Sequence, residues 1–247
     1  MHAYISNDRI KILPLDRQPS NALDLLFLKE LRNHIKVIEN DNSIQCVIMT
    51  SKCRTIFSSG LDLSSLTDCK SREMRIRILK AVWCVHGIVK QIMNSKKIYI
   101  AAVNGAVIGS AVSIVMACDF IFAHKNAWFW LPDPQYGGLL ADGGLDIIKM
   151  TVGIPNAKRI GMTNERIIAQ DAKDMGIINH IIDNGCVEDF VQSFATDLLQ
   201  HAFPTLQKTK AIINKGVLNR FQLIPFIQIV FSKELPKRLK KYNLGKP

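Results

Sequence analysis

The sequence holds 247 residues, 48% of them hydrophobic, with 32 Lys and Arg against 21 Asp and Glu and a formal charge of +11. That is enough chain for one large core, with no second enzyme domain beside it; no apolar run nears the roughly 20 residues that span a bilayer, no apolar stretch precedes the charges of MHAYISNDR, and the basic excess lacks aromatic interleaving or a helix-turn-helix pattern. The expectation is a cytoplasmic protein with no membrane or nucleic-acid partner, and the scattered Cys46, Cys53, Cys69, Cys84, Cys118 and Cys186, without metal-ligand spacing, point to reduced thiols and no metal site.

In chain order, residues 1–16 read as a strand pair around RIKILPL, turning at Asn7-Asp8. Leu23, Leu26, Phe27, Leu31 and Ile35 recur at helical spacing, so a helix packs one face on the core, and Asn21 is placed to cap it. IQCVIMTS, from Ile44, is continuous enough for a strand covered on both faces. Over residues 67–96, Ile76, Leu79, Val82, Trp83, His86, Ile88 and Val89 give a helix its apolar side. Its basic side carries Lys70, Arg72, Arg75 and Arg77, which either meet phosphate or form a solvated face. His86 is either a base or a hydrogen-bonded core residue.

The strand IYIAAV ends at Asn104-Gly105, where a turn must follow. Gly109 and Ser110 then introduce SAVSIVMA, eight small or apolar residues that read as a buried helix. The free N–H groups at the start of such a helix carry partial positive charge inside the protein, where they stabilise an oxygen that gains negative charge. Beyond Gly144, LDIIKMTVG is helical, Pro155 suits the first turn of a short helix, and Ala169–Ala172 opens another that Gly176 ends. IINHII is a closing strand, and from Cys186 to Pro247 the pattern is helical.

The run from Val103 to Gly144 resembles the crotonase superfamily, the enoyl-CoA hydratases and isomerases. Asn104-Gly105, Gly109-Ser110, Cys118-Asp119, Pro132-Asp133 and Gly143-Gly144 stand in the order and spacing of its hallmark. IFSSGLDLSSL and IAQDAKDMGIINHII extend the likeness over most of the chain. The resemblance implies an α/β fold: a crotonase-like spiral of ββα units with an acyl-CoA site over residues 1–185, and a C-terminal helical trimerisation element over residues 186–247. A homotrimer or hexamer is the expected assembly.

The same resemblance implies an oxyanion hole from the amides of Leu61 and Ser110, although the family commonly has glycine at the second place. It puts the substrate against Arg17, Ser20, Asn21, Ala22, Ser59, Gly60, Asp62 and Gly109, with Lys233, Lys237 and Arg238 of the tail reaching coenzyme A. The thioester, on coenzyme A or on an acyl carrier protein, is the substrate and no cofactor is expected. Family hydratases use two glutamates, and the corresponding places here hold Ser113 and Asp133. A serine hydroxyl cannot take up and release a proton at working pH as a carboxyl group can, which impairs water addition.

GLLADGG places Asp142 where delta-3,delta-2-enoyl-CoA isomerases of the peroxisomal type carry a single catalytic carboxylate. The leading expectation is therefore an isomerase in which Asp142, its pKa raised by burial, takes a proton from carbon two and returns it to carbon four. Asp133 is a second catalytic candidate. The bland alternatives are that Asp142 caps the helix LDIIKM and that the DPQYG turn aims Asp133 at solvent. Hydratase, decarboxylase or thioester hydrolase chemistry on the same fold, or acyl-CoA binding without turnover, are the other readings.

Overall fold

The computed structural model describes residues 3–67, 71–218 and 223–244; Lys70 and Cys69 lie outside them. The chain opens with β1 (Tyr4–Asn7) and β2 (Ile10–Leu15), an antiparallel pair whose turn falls at Asp8-Arg9, one residue later than expected. Then follow α1 (Leu25–Asn40), β3 (Cys46–Ser51), β4 (Ile56–Ser58), α2 (Leu63–Thr67), α3 (Ser71–Asn94), β5 (Ile98–Val103), β6 (Ala106–Ile108) and α4 (Ser110–Met116). After β7 (Phe120–His124) and β8 (Trp128–Trp130) comes a 3-10 turn over Asp133–Tyr136. The chain continues as α5 (Gly144–Met162), β9 (Arg166–Ile168), α6 (Ala169–Asp174), β10 (His180–Ile182), α7 (Val187–Leu198), α8 (Phe203–Ile213), α9 (Leu223–Val230) and α10 (Glu234–Leu244).

The strands form two sheets, one of six in the order β1-β2-β3-β5-β7-β10 and one of four in the order β4-β6-β8-β9. The larger is parallel from β2 to β10, and alternate residues of each strand serve opposite cores. Cys46 and Ile48 of β3 face α7, where Val187, Val191 and Ala195 cover them, while Val47 and Met49 face α1, α3 and α4. Both faces being covered explains the unbroken apolar run of this strand. On α1, Phe27, Leu28, Leu31, Ile35 and Ile38 are buried, each contributing roughly 1.5–3 kcal/mol relative to exposure. Its cap is Asp24, whose carboxylate accepts the Phe27 N–H at 2.7 Å, and not Asn21 as expected.

The helix α5 is two helices in succession: Gly153, at φ 72° and ψ 168°, breaks it, and Pro155 starts the second part as anticipated. Across the sheet's end, Lys210 of α8 is buried and donates to Asp119 Oδ2 at 2.7 Å and to the Lys97 carbonyl at 2.8 Å. The Tyr99 N–H shares that carboxylate oxygen at 2.8 Å, so α8 is tied to β5. The stretch after residue 186 is not set apart from the rest. Phe226 and Val230 of α9 and Leu235 and Leu239 of α10 join the same core as α3 and α4. Among the described residues, no helix is long and apolar enough to cross a membrane.

Candidate active site

Two turns meet at the ends of the smaller sheet. β4 runs parallel to β6, and just past their pairing Gly60 turns at φ 75°, so close to its neighbour that a Cβ there would lie 2.4 Å from the Ile108 carbonyl oxygen. Only glycine permits that approach. Gly109, also at positive φ (55°), turns the other strand into α4, and its N–H is anchored on the Trp130 carbonyl at 2.8 Å. The next amides, Leu61 and Ser110, are thereby brought to one cavity wall. Among the described residues neither of these two N–H groups donates to a protein acceptor. Two free amides at one wall, one of them at a helix N-terminus, form a site for an oxygen that gains charge.

The cavity has a volume of about 480 Å³. Its mouth is formed by Ser20, Ala22, Ser59, Asp62 and Ser64, its floor by Gly109, Ser110 and Asp133, and its inner walls are apolar, including Ile78, Val82, Trp130 and Leu139. Phe226, Ile229, Val230, Leu235 and Leu239 roof it. This roof went unread in the sequence, although Phe226, Ile229 and Val230 at i, i+3, i+4 spacing signal one apolar helix face. It belongs to the same chain as the floor.

The acids lie at the start of α5. Gly143 caps that helix at φ 99°, and Gly144 sits so tightly on α4 that a Cβ would lie 2.0 Å from Ser113 Oγ. This packing presses Asp142 against Ser113: the serine hydroxyl donates to Asp142 Oδ1 at 2.6 Å, and the Gly144 N–H reaches the same oxygen at 3.2 Å. Both side chains are fully buried. Asp142 Oδ2 has no partner among the described residues. Neither Asp142 nor His86 is among the residues that line the cavity; His86 Nδ1 lies 3.2 Å from the Asp142 backbone oxygen and so holds that loop.

Asp133, in the 3-10 turn after Pro132, lines the cavity instead of turning to solvent, and although the residue keeps some exposure its Oδ2 is sealed and has no hydrogen-bond partner among the described residues. Burial, with the nearby Asp142 charge, pushes its pKa up to about 7. Burial also raises Asp142, but there the Ser113 and Ser110 hydroxyls and the Gly144 amide oppose the shift by stabilising the anion. Both carboxyls are thus raised, and the donors around Asp142 favour its anion, whereas Asp133 has no side-chain donor among the described residues.

Of the other residues expected to meet substrate, Ser20, Ala22, Ser59, Leu61, Asp62, Gly109 and Ser110 line the cavity. Gly60 shapes it without lining it. Asn21 is turned into the protein: fully buried at φ 50°, it accepts the Arg17 N–H and donates to Ser51 Oγ and the Phe57 carbonyl, pinning the loop that forms the mouth. Arg17 is held by Asp24 at 2.7 Å and Asp62 at 3.7 Å. Lys233 and Lys237 are exposed on the outside of the roof, and Arg238 packs over Gly137. Arg77 pairs with Glu73, Arg75 stacks on Phe231, and Arg72 is exposed, so the phosphate reading of that helix face gains nothing from the cavity.

Comparison with known proteins agrees with this geometry. The family model described as enoyl-CoA hydratase/isomerase matches residues 6–225. The short-chain-enoyl-CoA hydratase of Clostridium acetobutylicum is 28% identical over 210 residues, which cover 85% of this chain and 79% of that one. Among solved structures, an enoyl-CoA hydratase from Bacillus halodurans superposes with a TM-score of 0.88 at 24% identity, covering 97% of this chain and 98% of the other. The human mitochondrial delta3-delta2-enoyl-CoA isomerase gives a TM-score of 0.88 at 22% identity, with 99% and 97% covered.

Proposed function

The chain belongs to the enoyl-CoA hydratase/isomerase family, the crotonase-fold enzymes that process acyl-CoA, and from that premise we propose that it shifts a carbon–carbon double bond from the 3- to the 2-position of an enoyl thioester. The observation that carries this reading is the Ser113–Asp142 pair. Where a hydratase of this family needs its first acid, the chain has a serine whose hydroxyl is committed to holding the carboxylate of Asp142.

In this reading the thioester carbonyl accepts from the Leu61 and Ser110 amides, which stabilises the enolate formed when a proton leaves carbon two. Asp142, the ionised member of the pair, takes that proton and returns it to carbon four. No atom is gained or lost. Asp133 stays protonated beside it and lowers the cost of the charge that collects at the carbonyl end of the cavity. No cofactor is needed, the thioester being the substrate, and the expected assembly remains a trimer or hexamer built on the family pattern.

Hydration is the second reading, favoured by one observation: Asp133 lines the cavity and Asp142, which does not, lies near enough to act on its charge, and water addition requires a base for water and an acid for carbon two. Incubating the enzyme with 3-hexenoyl-CoA and with 2-hexenoyl-CoA in heavy-oxygen water separates the two. The isomerase converts the first to the second without label. A labelled 3-hydroxyacyl product formed at comparable rate overturns the isomerase reading and installs the hydratase.

A further inference from the structure

Among the described residues, little free positive charge lies at the cavity mouth. Ser20, Ser59, Asp62 and Ser64 there are neutral or acidic, and Arg17 is taken up by two carboxylates. Cations gather instead along a groove between α1 and α3, with Lys29, Arg32 and Lys36 on one wall and Lys80 and Trp83 on the other. Lys29, Arg32 and Lys36 follow the helical repeat and make one row about 10 Å long at 1.5 Å per residue. All four cations are exposed, none is in an ion pair among the described residues, and no acid lines the groove.

The groove adjoins the cavity in two places. Phe226 of α9 lines both. Leu25, at the head of α1, is a groove residue that follows closely on Ala22 and Asp24 of the mouth loop. A cation row spread along two helices is too extended for one cluster of phosphates and has the shape and charge that complement an acidic helix.

We propose that the α1–α3 groove docks the acidic helix of an acyl carrier protein, which presents its thioester to the cavity on a phosphopantetheine arm entering past the loop of Ser20 and Ala22. This rests on the acyl-thioester reading above and names the form in which the thioester arrives. Four exposed cations, none in an ion pair among the described residues and one of them, Arg32, hydrogen-bonded to the Cys84 thiol, steer such a partner to the mouth, and the effect weakens with salt.

The test uses the full chain, a type II holo-acyl carrier protein, and 3-hexenoyl thioesters of that carrier and of coenzyme A. The double variant Lys29→Glu, Lys36→Glu changes exposed positions only, and its fold is checked by circular dichroism. Holo-carrier binding followed by fluorescence anisotropy is expected to weaken about tenfold or more in the variant and in raised salt, and kcat/KM for the carrier-bound thioester to fall with it while that for the coenzyme A thioester holds. No binding by the wild type, or equal binding by the variant, overturns the proposal. Equal loss on both thioesters also overturns it, because the groove then holds the phosphates of coenzyme A. Should the carrier bind as expected with neither thioester turned over, the docking surface stands and the isomerase reading fails.

Discussion

The Ser113 hydroxyl donates to Asp142 Oδ1 at 2.6 Å, with both residues fully buried. A carboxylate sealed from water keeps its charge only through such donors, and a hydrogen bond to a charged group contributes roughly 1.5–3 kcal/mol. Removing the donor by Ser113→Ala therefore raises the Asp142 pKa. The base is then protonated at higher pH, so the acid limb of the kcat/KM profile moves up by about one pH unit or more, with KM changed little. An unmoved limb would show that Asp142 is not the group that titrates.

Asp142→Asn is expected to lower kcat about 100-fold or more while leaving thioester binding intact, since the amide cannot accept the proton. Equilibrium binding of an unreactive acyl-CoA analogue separates loss of chemistry from loss of the site. Retained turnover would falsify the assignment.

Asp133 makes a different signature. Its folded pKa of about 7 lies above the unfolded value, so the native state keeps a proton that the unfolded state releases. Its contribution to stability is whole at pH below about 4 and is lost as pH rises through about 7. Asp133→Asn abolishes that dependence, so its melting temperature gains on the wild type as pH climbs from 4 to 7.5, by roughly 2–4 °C for each kcal/mol. The check is a pair of thermal melts across that range, and a constant difference between the two proteins would refute the shift.

The Ser110 amide can be removed without breaking its helix. Ser110 is the first residue of α4, the position where proline is best tolerated. Ser110→Pro should cost kcat about 100-fold or more by deleting one donor of the oxyanion hole, whereas Ser110→Ala, which keeps the N–H, should cost far less. Equal effects in the two variants would place the contribution in the hydroxyl rather than the amide.

Lys210 and Asp119 form a buried ion pair at 2.7 Å that also holds the Tyr99 amide and the Lys97 carbonyl. Lys210→Met leaves the Asp119 carboxylate buried and uncompensated, at an expected cost of about 3–5 kcal/mol in urea unfolding, and Asp119→Asn in the same chain recovers part of it. If the double variant is no more stable than the single, the carboxylate was not the source of the loss.

Much of this architecture could be read before the coordinates. The apolar runs at Cys46–Ser51 and Ile98–Val103 announced central strands, and Ser110–Met116 announced a buried helix, because each is covered on every side. What escaped were the three-residue strands β6, β8 and β9, too short to show a period, and the partners of side chains. Asn21 stands next to a helix and looks like its cap, but its side chain is consumed in pinning the mouth loop while Asp24 caps instead. Asp142 sits just before Gly143-Gly144 in a pattern equally fit for a helix cap. Its partner Ser113 is far off in the chain, and only tertiary packing of glycine on serine brings them together.

In the proposed reading, the amides that grip the carbonyl and the carboxylates that move protons rest on largely different parts of the fold. The former depend on β4 lying beside β6, the latter on Gly144 lying against α4. They meet at α4, whose first residue, Ser110, offers its amide to the one and its hydroxyl to the other. An exchange of acids at the helix junction that keeps this serine would leave the grip in place, so a lineage built on this plan could change its reaction without first rebuilding how it polarises a thioester.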